Sequence, residues 1–276
     1  MTDDAENEEL AAAYNLGLEF QKSGDLAGAA RAFREALALD PQDTGGVSIR
    51  LAAIGAETAP EKMPDAYVAT LFDQHADVFD EILVDELGYC VPLLLRDLVQ
   101  RLDCGPFSRM LDLGCGTGLT GMALADCTSH RTGVDLSERI IELAYDREVY
   151  EDLYVGEAVE FLQEFEDEEE ARPNWDLIAA TDVFPYLGAV EPFLSAAADR
   201  LEEKGYLAFS TETLPNEILN GRSYMVGPGN RFAQAEGYIR ASLSNAGFTI
   251  LAMEPITVRL EEGVPVPGHL VLAQKS

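Results

Sequence analysis

The segment from Met110 to Gly121, MLDLGCGTGLTG, constrains the fold more than any other part of this 276-residue chain. A short apolar run leads into three closely spaced glycines, Gly114, Gly116 and Gly118, and a helix-forming stretch follows them. Glycine is needed where the backbone turns tightly and where a ligand approaches main chain without a side chain. The segment therefore predicts a strand, a glycine turn and a helix, with backbone N–H groups facing a ligand.

The spacing of these glycines separates two classes of cofactor. A dinucleotide site needs the pattern GxGxxG, and Leu119 occupies the position of its last glycine. The pattern present is GxGxG, preceded by Asp112, which disfavours a nicotinamide oxidoreductase. A second carboxylate, Asp135, ends the next apolar run, GVDL. At the tip of a second strand it can accept hydrogen bonds from both ribose hydroxyls of an adenosine-containing cofactor.

Apolar runs and helical segments alternate from Arg109 onward. The runs are RMLDL, HRTGVDL, DLYV, WDLIAAT, GYLAFST, FTILAME and GHLVLAQ. Helical segments such as SERIIELAYD and EAVEFLQEF lie between most of them. This alternation predicts an α/β domain with a mainly parallel, doubly wound sheet.

The glycine loop and its two carboxylates resemble motif I and the following strand of the class I S-adenosylmethionine (SAM)-dependent methyltransferases. The resemblance implies a Rossmann-like, seven-stranded methyltransferase sheet, SAM as cofactor and S-adenosylhomocysteine as product. The residues that it places at the cofactor are Asp112, Gly114, Cys115, Gly116, Gly118, Asp135, Leu136, Glu157, Ala158, Thr181, Phe72 and Phe79.

Three further segments extend this resemblance. VGEAVEF resembles the segment beside the adenine ring, with Glu157 where many members have Asp. FDQHADVFD resembles the FDxxAxxYD helix that closes over the cofactor, with Phe79 in place of Tyr. TDVFPYLG resembles the loop after the fourth strand, where the methyl group and the substrate meet.

The loop TDVFPYLG also bears on the acceptor. Enzymes that methylate planar amides or exocyclic amines usually carry Asn/Asp-Pro-Pro-aromatic there, so the loop favours an oxygen acceptor on a small metabolite or a carrier-bound acid. A carboxylate acceptor needs no base, whereas a hydroxyl would pass its proton to His75 or Asp182. The residues predicted to face the substrate are Tyr186, Tyr224, Arg231 and Tyr238. Arg231 would anchor a substrate carboxylate or pair with a neighbouring Glu.

The N-terminal part divides into an acidic leader (residues 1–9) and a helical segment (10–58), before the methyltransferase domain at 59–276. The helical segment resembles one tetratricopeptide repeat (TPR) followed by an incomplete second one. The matching positions are Leu16, Gly17, Phe20, Ala29, Phe33, Ala36 and Pro41. Fewer than three such repeats rarely stand alone, so the segment is expected to cap the neighbouring domain or to help bind a substrate or partner protein.

The charge balance narrows the range of partners. The chain has 50 acidic and 19 basic residues, for a net charge of -31. Such a surface disfavours nucleic acid and anionic membranes. Without a signal peptide pattern or metal-ligand spacing among its four cysteines, we expect a cytoplasmic protein without a metal site. The alternative to an enzyme is a SAM-binding assembly or regulatory partner with little turnover.

Overall fold

The apolar run before the glycine loop forms a strand in the middle of the main sheet. The computed structural model describes residues 2–167 and 171–276. The strands in these ranges are β1 (Phe107–Leu113), β2 (Thr128–Asp135), β3 (Asp152–Val155), β4 (Trp175–Ala180), β5 (Leu201–Glu212), β6 (Tyr224–Val226), β7 (Phe232–Gln234), β8 (Phe248–Glu261) and β9 (Val264–Lys275). Seven form one sheet in the order β3-β2-β1-β4-β5-β9-β8, and β6 and β7 form a separate antiparallel ribbon.

The sheet is parallel except at β9. Strand β1 pairs in parallel with β2 and β4, whereas β9 runs antiparallel to both β5 and β8. The predicted seven-stranded, mainly parallel sheet is confirmed. Because β1, β2 and β4 point the same way, their carboxyl ends meet at one edge, which is where ligands bind in open α/β sheets.

Helices cover both faces of this sheet. The helices of the described ranges are α1 (Thr2–Ser23), α2 (Leu26–Leu39), α3 (Val47–Ala53), α4 (Asp65–His75), α5 (Val91–Arg101), α6 (Leu119–Ala123), α7 (Glu138–Asp146), α8 (Ala158–Glu164), α9 (Glu191–Arg200), α10 (Asn216–Leu219) and α11 (Glu236–Asn245). Of these, α9 and α11 lie on one face of the sheet and α5 lies on the other. A 3₁₀ turn (Ala76–Val78) and a π-helical turn (Glu81–Glu86) follow α4, and a second 3₁₀ turn (Phe184–Tyr186) follows β4.

Alternate residues of the central strands enter two separate cores. In β4, Ile178 packs with Phe193 on one face of the sheet, and Leu177 packs with Leu95 on the other. All four side chains are fully buried. A strand buried on both faces reads as a continuous apolar run, which explains why WDLIAAT lacks an alternating pattern.

The N-terminal helices α1 and α2 pack as a hairpin. A Cβ on Gly17 would lie 2.4 Å from the Phe33 ring, so glycine permits the close approach of the two helices. Phe33 is fully buried, as the sequence pattern predicts. The helical hairpin is present, and its assignment as a tetratricopeptide repeat stays a prediction.

Two structural features cross the predicted segment boundaries, which stay a prediction. The acidic leader is not separate from the helical segment, because α1 already begins at Thr2. Negative charge is favourable at the positive end of a helix dipole, so an acidic start suits a helix. Ile49 of α3 shares a buried cluster with Val226 and Phe232 of the β6–β7 ribbon. A boundary at residue 59 therefore divides segments that pack together.

Within the described ranges, no helix combines the length and the apolar character that crossing a membrane requires.

Candidate functional site

The glycine loop lies at the carboxyl end of β1 and borders the main cavity. Gly114, Gly116 and Gly118 have φ of 62°, 54° and 102°, a region that side chains other than glycine rarely adopt. A Cβ on Gly114 would lie 2.5 Å from Val183, and one on Gly116 would lie 3.4 Å from Phe79. Glycine is thus required in this loop for two reasons, the left-handed backbone conformation and the lack of room for a side chain.

Asp135, at the end of β2, holds this loop in place. Its carboxylate accepts hydrogen bonds from the backbone N–H of Gly116 and of Ser137, each at 3.0 Å. Burial raises the pKa of Asp135, and these N–H groups partly offset that effect. A carboxylate fixed at this strand tip, lining the cavity beside Leu136, can accept hydrogen bonds from a ribose.

Asp112 lies beneath the loop rather than on the cavity wall. It is fully buried, and its Oδ2 accepts a hydrogen bond of 2.6 Å from the Tyr150 hydroxyl. Burial raises the pKa of Asp112 to about 7, an effect that the Tyr150 hydrogen bond opposes and the nearby Asp135 charge reinforces. Within the described residues its Oδ1 has no hydrogen-bond partner.

The pKa of Asp112 predicts how stability depends on pH. In the unfolded chain this carboxyl ionises near pH 4, and in the folded protein near pH 7. The folded state therefore holds a proton that the unfolded state has released, so stability falls between these values by roughly 1.4 kcal/mol per pH unit. Urea unfolding of wild type and Asp112→Asn at pH 5, 6, 7 and 8 tests this. The wild type should lose stability relative to the variant up to pH 7, and parallel curves would contradict the assignment.

The residues that follow β3 line another part of the cavity. Glu157 caps α8 by accepting a hydrogen bond of 2.8 Å from the Glu160 backbone N–H. Its other carboxylate oxygen lies 3.9 Å from Nζ of Lys62, a cavity residue that the sequence analysis missed. Ala158 lines the cavity beside it. Glu157 thus faces the cavity with one oxygen already used in a helix cap.

Residues 65–88, which we call the roof segment, close the cavity from above. Phe72 and Phe79 line it and contact each other edge-on, with ring centroids 5.7 Å apart. Three acidic side chains of the roof segment accept hydrogen bonds from the rest of the domain. Asp73 accepts one from the Ser137 hydroxyl, and Asp77 accepts one from Arg139. Asp80 accepts hydrogen bonds from Arg147 and from the Thr117 hydroxyl. FDQHADVFD therefore lies beside the glycine loop, and its closure over a cofactor stays a prediction.

The loop after β4 forms the remaining wall. Thr181 shares a hydrogen bond of 2.7 Å with Thr120. Asp182 has a φ of 61°, and its backbone N–H donates to the Ser210 hydroxyl at 2.9 Å. Gln234 fixes the rest of the loop, since its buried amide donates to the carbonyls of Phe184 and Leu187 at 2.8 and 2.7 Å. Tertiary contacts thus hold Asp182 in a strained backbone conformation at the cavity.

Asp182 belongs to a cluster of charges. Its Oδ2 lies 3.4 Å from Nη1 of Arg231, and its Oδ1 lies 3.9 Å from Nη1 of Arg259. Glu212 forms an ion pair with Arg259, and burial raises the pKa of Glu212 against the effect of both arginines. The guanidinium of Arg231 stacks over the ring of Tyr186 at 5.0 Å. The predicted pairing of Arg231 with an acid is thus present, and the sequence missed Arg259 and Glu212.

Ten of the twelve predicted cofactor residues line one cavity of about 900 Å³, its mouth included. The two that do not are Asp112, beneath the loop, and Gly118, which begins α6. Asp182 and Tyr186 line the same cavity, so the predicted cofactor and acceptor positions meet there.

Four of the predicted catalytic and substrate residues do not line the cavity: His75, Tyr224, Tyr238 and Arg231, which contacts the lining residues Asp182 and Tyr186 from behind. His75 is exposed on the roof segment, and its Nδ1 contacts the Leu71 carbonyl at 2.8 Å. Tyr238 bonds Glu191 and the Val190 backbone N–H, and Tyr224 packs against Tyr238 at 6.0 Å. In the described ranges, no group of three or more His, Cys, Asp or Glu side chains is arranged to hold a metal ion.

Comparisons with known proteins agree with this geometry. Residues 111–207 match the family model for a methyltransferase domain. The fold is that of SAM-dependent methyltransferases. A magnesium protoporphyrin IX methyltransferase from Synechocystis PCC 6803, solved with bound SAM, superposes with a TM-score of 0.57 at 16% identity, covering 80% of this chain and 100% of that one. The predicted cofactor, SAM, is that of this fold.

Two curated methyltransferases match over shorter stretches. The malonyl-[acyl-carrier protein] O-methyltransferase of Bacillus anthracis is 27% identical over 146 residues, 52% of this chain and 49% of that protein. The 18S rRNA (guanine-N(7))-methyltransferase of Arabidopsis thaliana is 42% identical over 48 residues, 17% of each chain. The chain thus spans half or less of the length of these relatives.

The residues that line the cavity beside the glycine loop suit SAM. The glycine loop leaves room that a Cβ at Gly116 would reduce, and Asp135 offers a carboxylate at the strand tip. Phe72 and Phe79 supply apolar surface from the roof segment.

Proposed function

We propose that this protein transfers a methyl group from SAM to an oxygen acceptor, on a small metabolite or a carrier-bound acid. The observation that carries the proposal is the continuity of one cavity. It runs from the glycine loop and Asp135 to Asp182 and Tyr186 at the end of β4. The groups proposed to bind the cofactor and those proposed to bind the acceptor therefore line the same cavity.

The proposed cofactor residues have separate tasks. Asp135 accepts hydrogen bonds from the ribose, and Glu157 and Ala158 border the adenine. Gly114 and Gly116 allow the backbone to lie against the cofactor, while the roof segment excludes water. When bound, SAM supplies a methyl group already activated as a sulfonium. The chain itself therefore needs to orient the acceptor and remove its proton.

Asp182 is the proposed proton acceptor for a hydroxyl substrate. It lines the cavity, and the backbone N–H bonded to Ser210 fixes its position. His75, the other predicted base, is exposed and does not line the cavity, so it has no part in the proposed mechanism. Tyr186 and Arg231 are the remaining proposed acceptor contacts.

An oxygen acceptor has two further supports. The loop reads Asp182-Val183-Phe184-Pro185-Tyr186 rather than the Asn/Asp-Pro-Pro-aromatic typical of planar nitrogen acceptors. A relative that matches over 52% of the chain is an O-methyltransferase. The rRNA methyltransferase matches over 17% only, and a net charge of -31 opposes binding of a polyanion.

The proposal also covers the N-terminal hairpin and the location of the protein. We infer that α1 and α2 are a TPR-like cap that can contact a partner protein, and that the protein is cytoplasmic.

If the alternative role as a SAM-binding partner holds, SAM binds but no acceptor is methylated. Calorimetry with SAM and NAD, followed by transfer of labelled methyl over a metabolite panel, separates these roles. Binding of NAD instead of SAM would contradict both.

Asp135→Ala should weaken SAM binding by ~1.5–3 kcal/mol, because charge-assisted hydrogen bonds to the ribose are lost. The measurement is calorimetric titration of SAM into wild type and variant. Asp199→Ala, an exposed aspartate on α9, is the matched control and should bind as wild type does. An unchanged dissociation constant in Asp135→Ala would remove the ribose assignment.

A further inference from the structure

The roof segment consists of two parts that the rest of the protein holds differently. The first part, α4, packs on a buried apolar cluster through Val68 and Phe72. The second part, residues 77–86, which we call the flap, contains no buried residue. Directly after the flap, the carbonyl of Leu87 accepts a hydrogen bond of 2.7 Å from the Leu260 backbone N–H. The flap is therefore a weakly packed stretch between two fixed points.

The backbone of the roof segment changes its hydrogen-bonding pattern at the flap. After α4 it forms the 3₁₀ turn Ala76–Val78 and then the π-helical turn Glu81–Glu86. A 3₁₀ turn has poorer hydrogen-bond geometry than an α-helix and often marks a hinge. Segments with few buried contacts also open at a lower free-energy cost than packed helices do. The flap can therefore open while α4 stays in place.

One carboxylate holds the flap to the cofactor side of the cavity. Asp80 accepts a hydrogen bond of 2.5 Å from the hydroxyl of Thr117, a buried residue of the glycine loop, and it forms an ion pair with Arg147. The other ion pair of the flap joins Asp77 to Arg139, whose side chains are 77% and 48% exposed. Exposed pairs of this kind stabilise little. The attachment of the flap thus depends mainly on Asp80.

Phe79 brings the flap against the glycine loop. Its ring lines the cavity, and a Cβ on Gly116 would lie 3.4 Å from it. Asp80, the next residue, does not line the cavity. If the flap moved away from the loop, it would uncover the proposed cofactor site without removing a direct contact between Asp80 and the cofactor.

We propose that the flap is a gate through which SAM enters and S-adenosylhomocysteine leaves, and that Asp80 keeps this gate closed. The inference rests on the proposed binding of SAM and adds how the cofactor is exchanged. Asp80 joins the flap to the glycine loop whether or not the site is occupied, so it lowers the open fraction of both forms alike. Loss of this contact should therefore raise the association and dissociation rates by a similar factor. A residue that only contacts the bound cofactor would change mainly the dissociation rate.

The two rates can be measured without an acceptor, by surface plasmon resonance with S-adenosylhomocysteine as the probe. In Asp80→Asn both rates should rise roughly tenfold, because a charge-assisted hydrogen bond is lost, and the dissociation constant should stay within about threefold of wild type. Asp85→Asn, the same change on an exposed aspartate of the flap, is the matched control and should keep both wild-type rates. Wild-type rates in Asp80→Asn, or a rise in the dissociation rate alone, would overturn the gate.

Arg147→Gln tests the same contact from its other side. It should raise both rates as Asp80→Asn does, because it removes the same ion pair. The double variant should then exchange S-adenosylhomocysteine little faster than either single variant. Wild-type rates in Arg147→Gln, or factors that multiply to about a hundredfold in the double variant, would contradict the role of this ion pair in closing the flap.

Hydrogen–deuterium exchange on the protein without ligand tests the flap independently of the cofactor. In Asp80→Asn the amides of residues 77–86 should exchange about threefold or more faster than in wild type, whereas those of α4 should not change. Unchanged exchange in the flap, or equal acceleration in α4, would overturn the separate opening of the flap. If S-adenosylhomocysteine does not bind wild type at all, the proposed function fails. If it binds and neither the rates nor the amide exchange respond to Asp80→Asn, the gate is wrong and the proposed function stands.

Discussion

Gly116→Val should abolish SAM binding without unfolding the protein. Gly116 has a φ of 54°, and left-handed backbone costs a residue with a Cβ roughly 1–2 kcal/mol, with a branched side chain least able to adopt it. A Cβ there would also lie 3.4 Å from Phe79, in the space between the glycine loop and the roof segment. The branched methyl groups would extend into the cavity that the loop borders.

A graded series makes this prediction specific. Gly116→Ala should weaken SAM binding less than valine does, because it adds one methyl group and no branch. Gly237→Val on α11 is the matched control, since a Cβ at Gly237 meets no atom within 4 Å and no unusual φ is required. Circular dichroism and thermal unfolding would check that each variant folds. A folded Gly116→Val protein that binds SAM with wild-type affinity would show that the loop is not the cofactor site.

Local patterns predicted which residues lie together around the glycine loop. The glycine loop, Asp135 and Thr181 are each adjacent in sequence to the end of a buried strand, and parallel strands bring their carboxyl ends together. Apolar runs therefore sufficed to predict both the strands and the edge where these residues meet. The same logic found Glu157, although not its use as a helix cap.

The acceptor side was not predictable in the same way. The charges around Asp182 come from β5, β8 and the segment before β7, and their contact depends on the antiparallel pairing of β9 between β5 and β8. Nothing near Glu212 or Arg259 in the sequence signals this partnership. Tyr150 was missed for a similar reason. It lies between α7 and β3, and its hydroxyl donates a hydrogen bond to Asp112 of β1, an element distant from it in sequence.

A helical motif alone does not predict which of its residues face the cavity, as His75 illustrates. The segment FDQHADVFD predicts a helix over the cofactor, but residues on one helix face in different directions. Phe72 and Phe79 line the cavity, whereas His75 is exposed. The register of the roof segment, fixed by its three acidic contacts, decides which residues enter the site.

Asp182→Asn should lower turnover of a hydroxyl substrate by roughly 10²–10⁴-fold, the usual effect of losing a general base. The amide has nearly the shape of the carboxylate and keeps an oxygen for Arg231, but it cannot take up the hydroxyl proton. SAM binding should stay within about twofold of wild type because the ribose contacts are elsewhere. Labelled methyl transfer to a hydroxyl acceptor found in the metabolite panel gives the rate, and calorimetry gives the SAM affinity.

The pH dependence of the residual rate distinguishes proton transfer from a structural role of Asp182. If Asp182 is the base, solvent hydroxide must replace it in Asp182→Asn, so the residual rate should rise about tenfold per pH unit. A purely structural role would lower the rate without changing the shape of the wild-type pH profile. Asp199→Asn, the same chemical change on an exposed aspartate, is the control and should leave the rate unchanged. Turnover within tenfold of wild type in Asp182→Asn would mean that the proton leaves by another route.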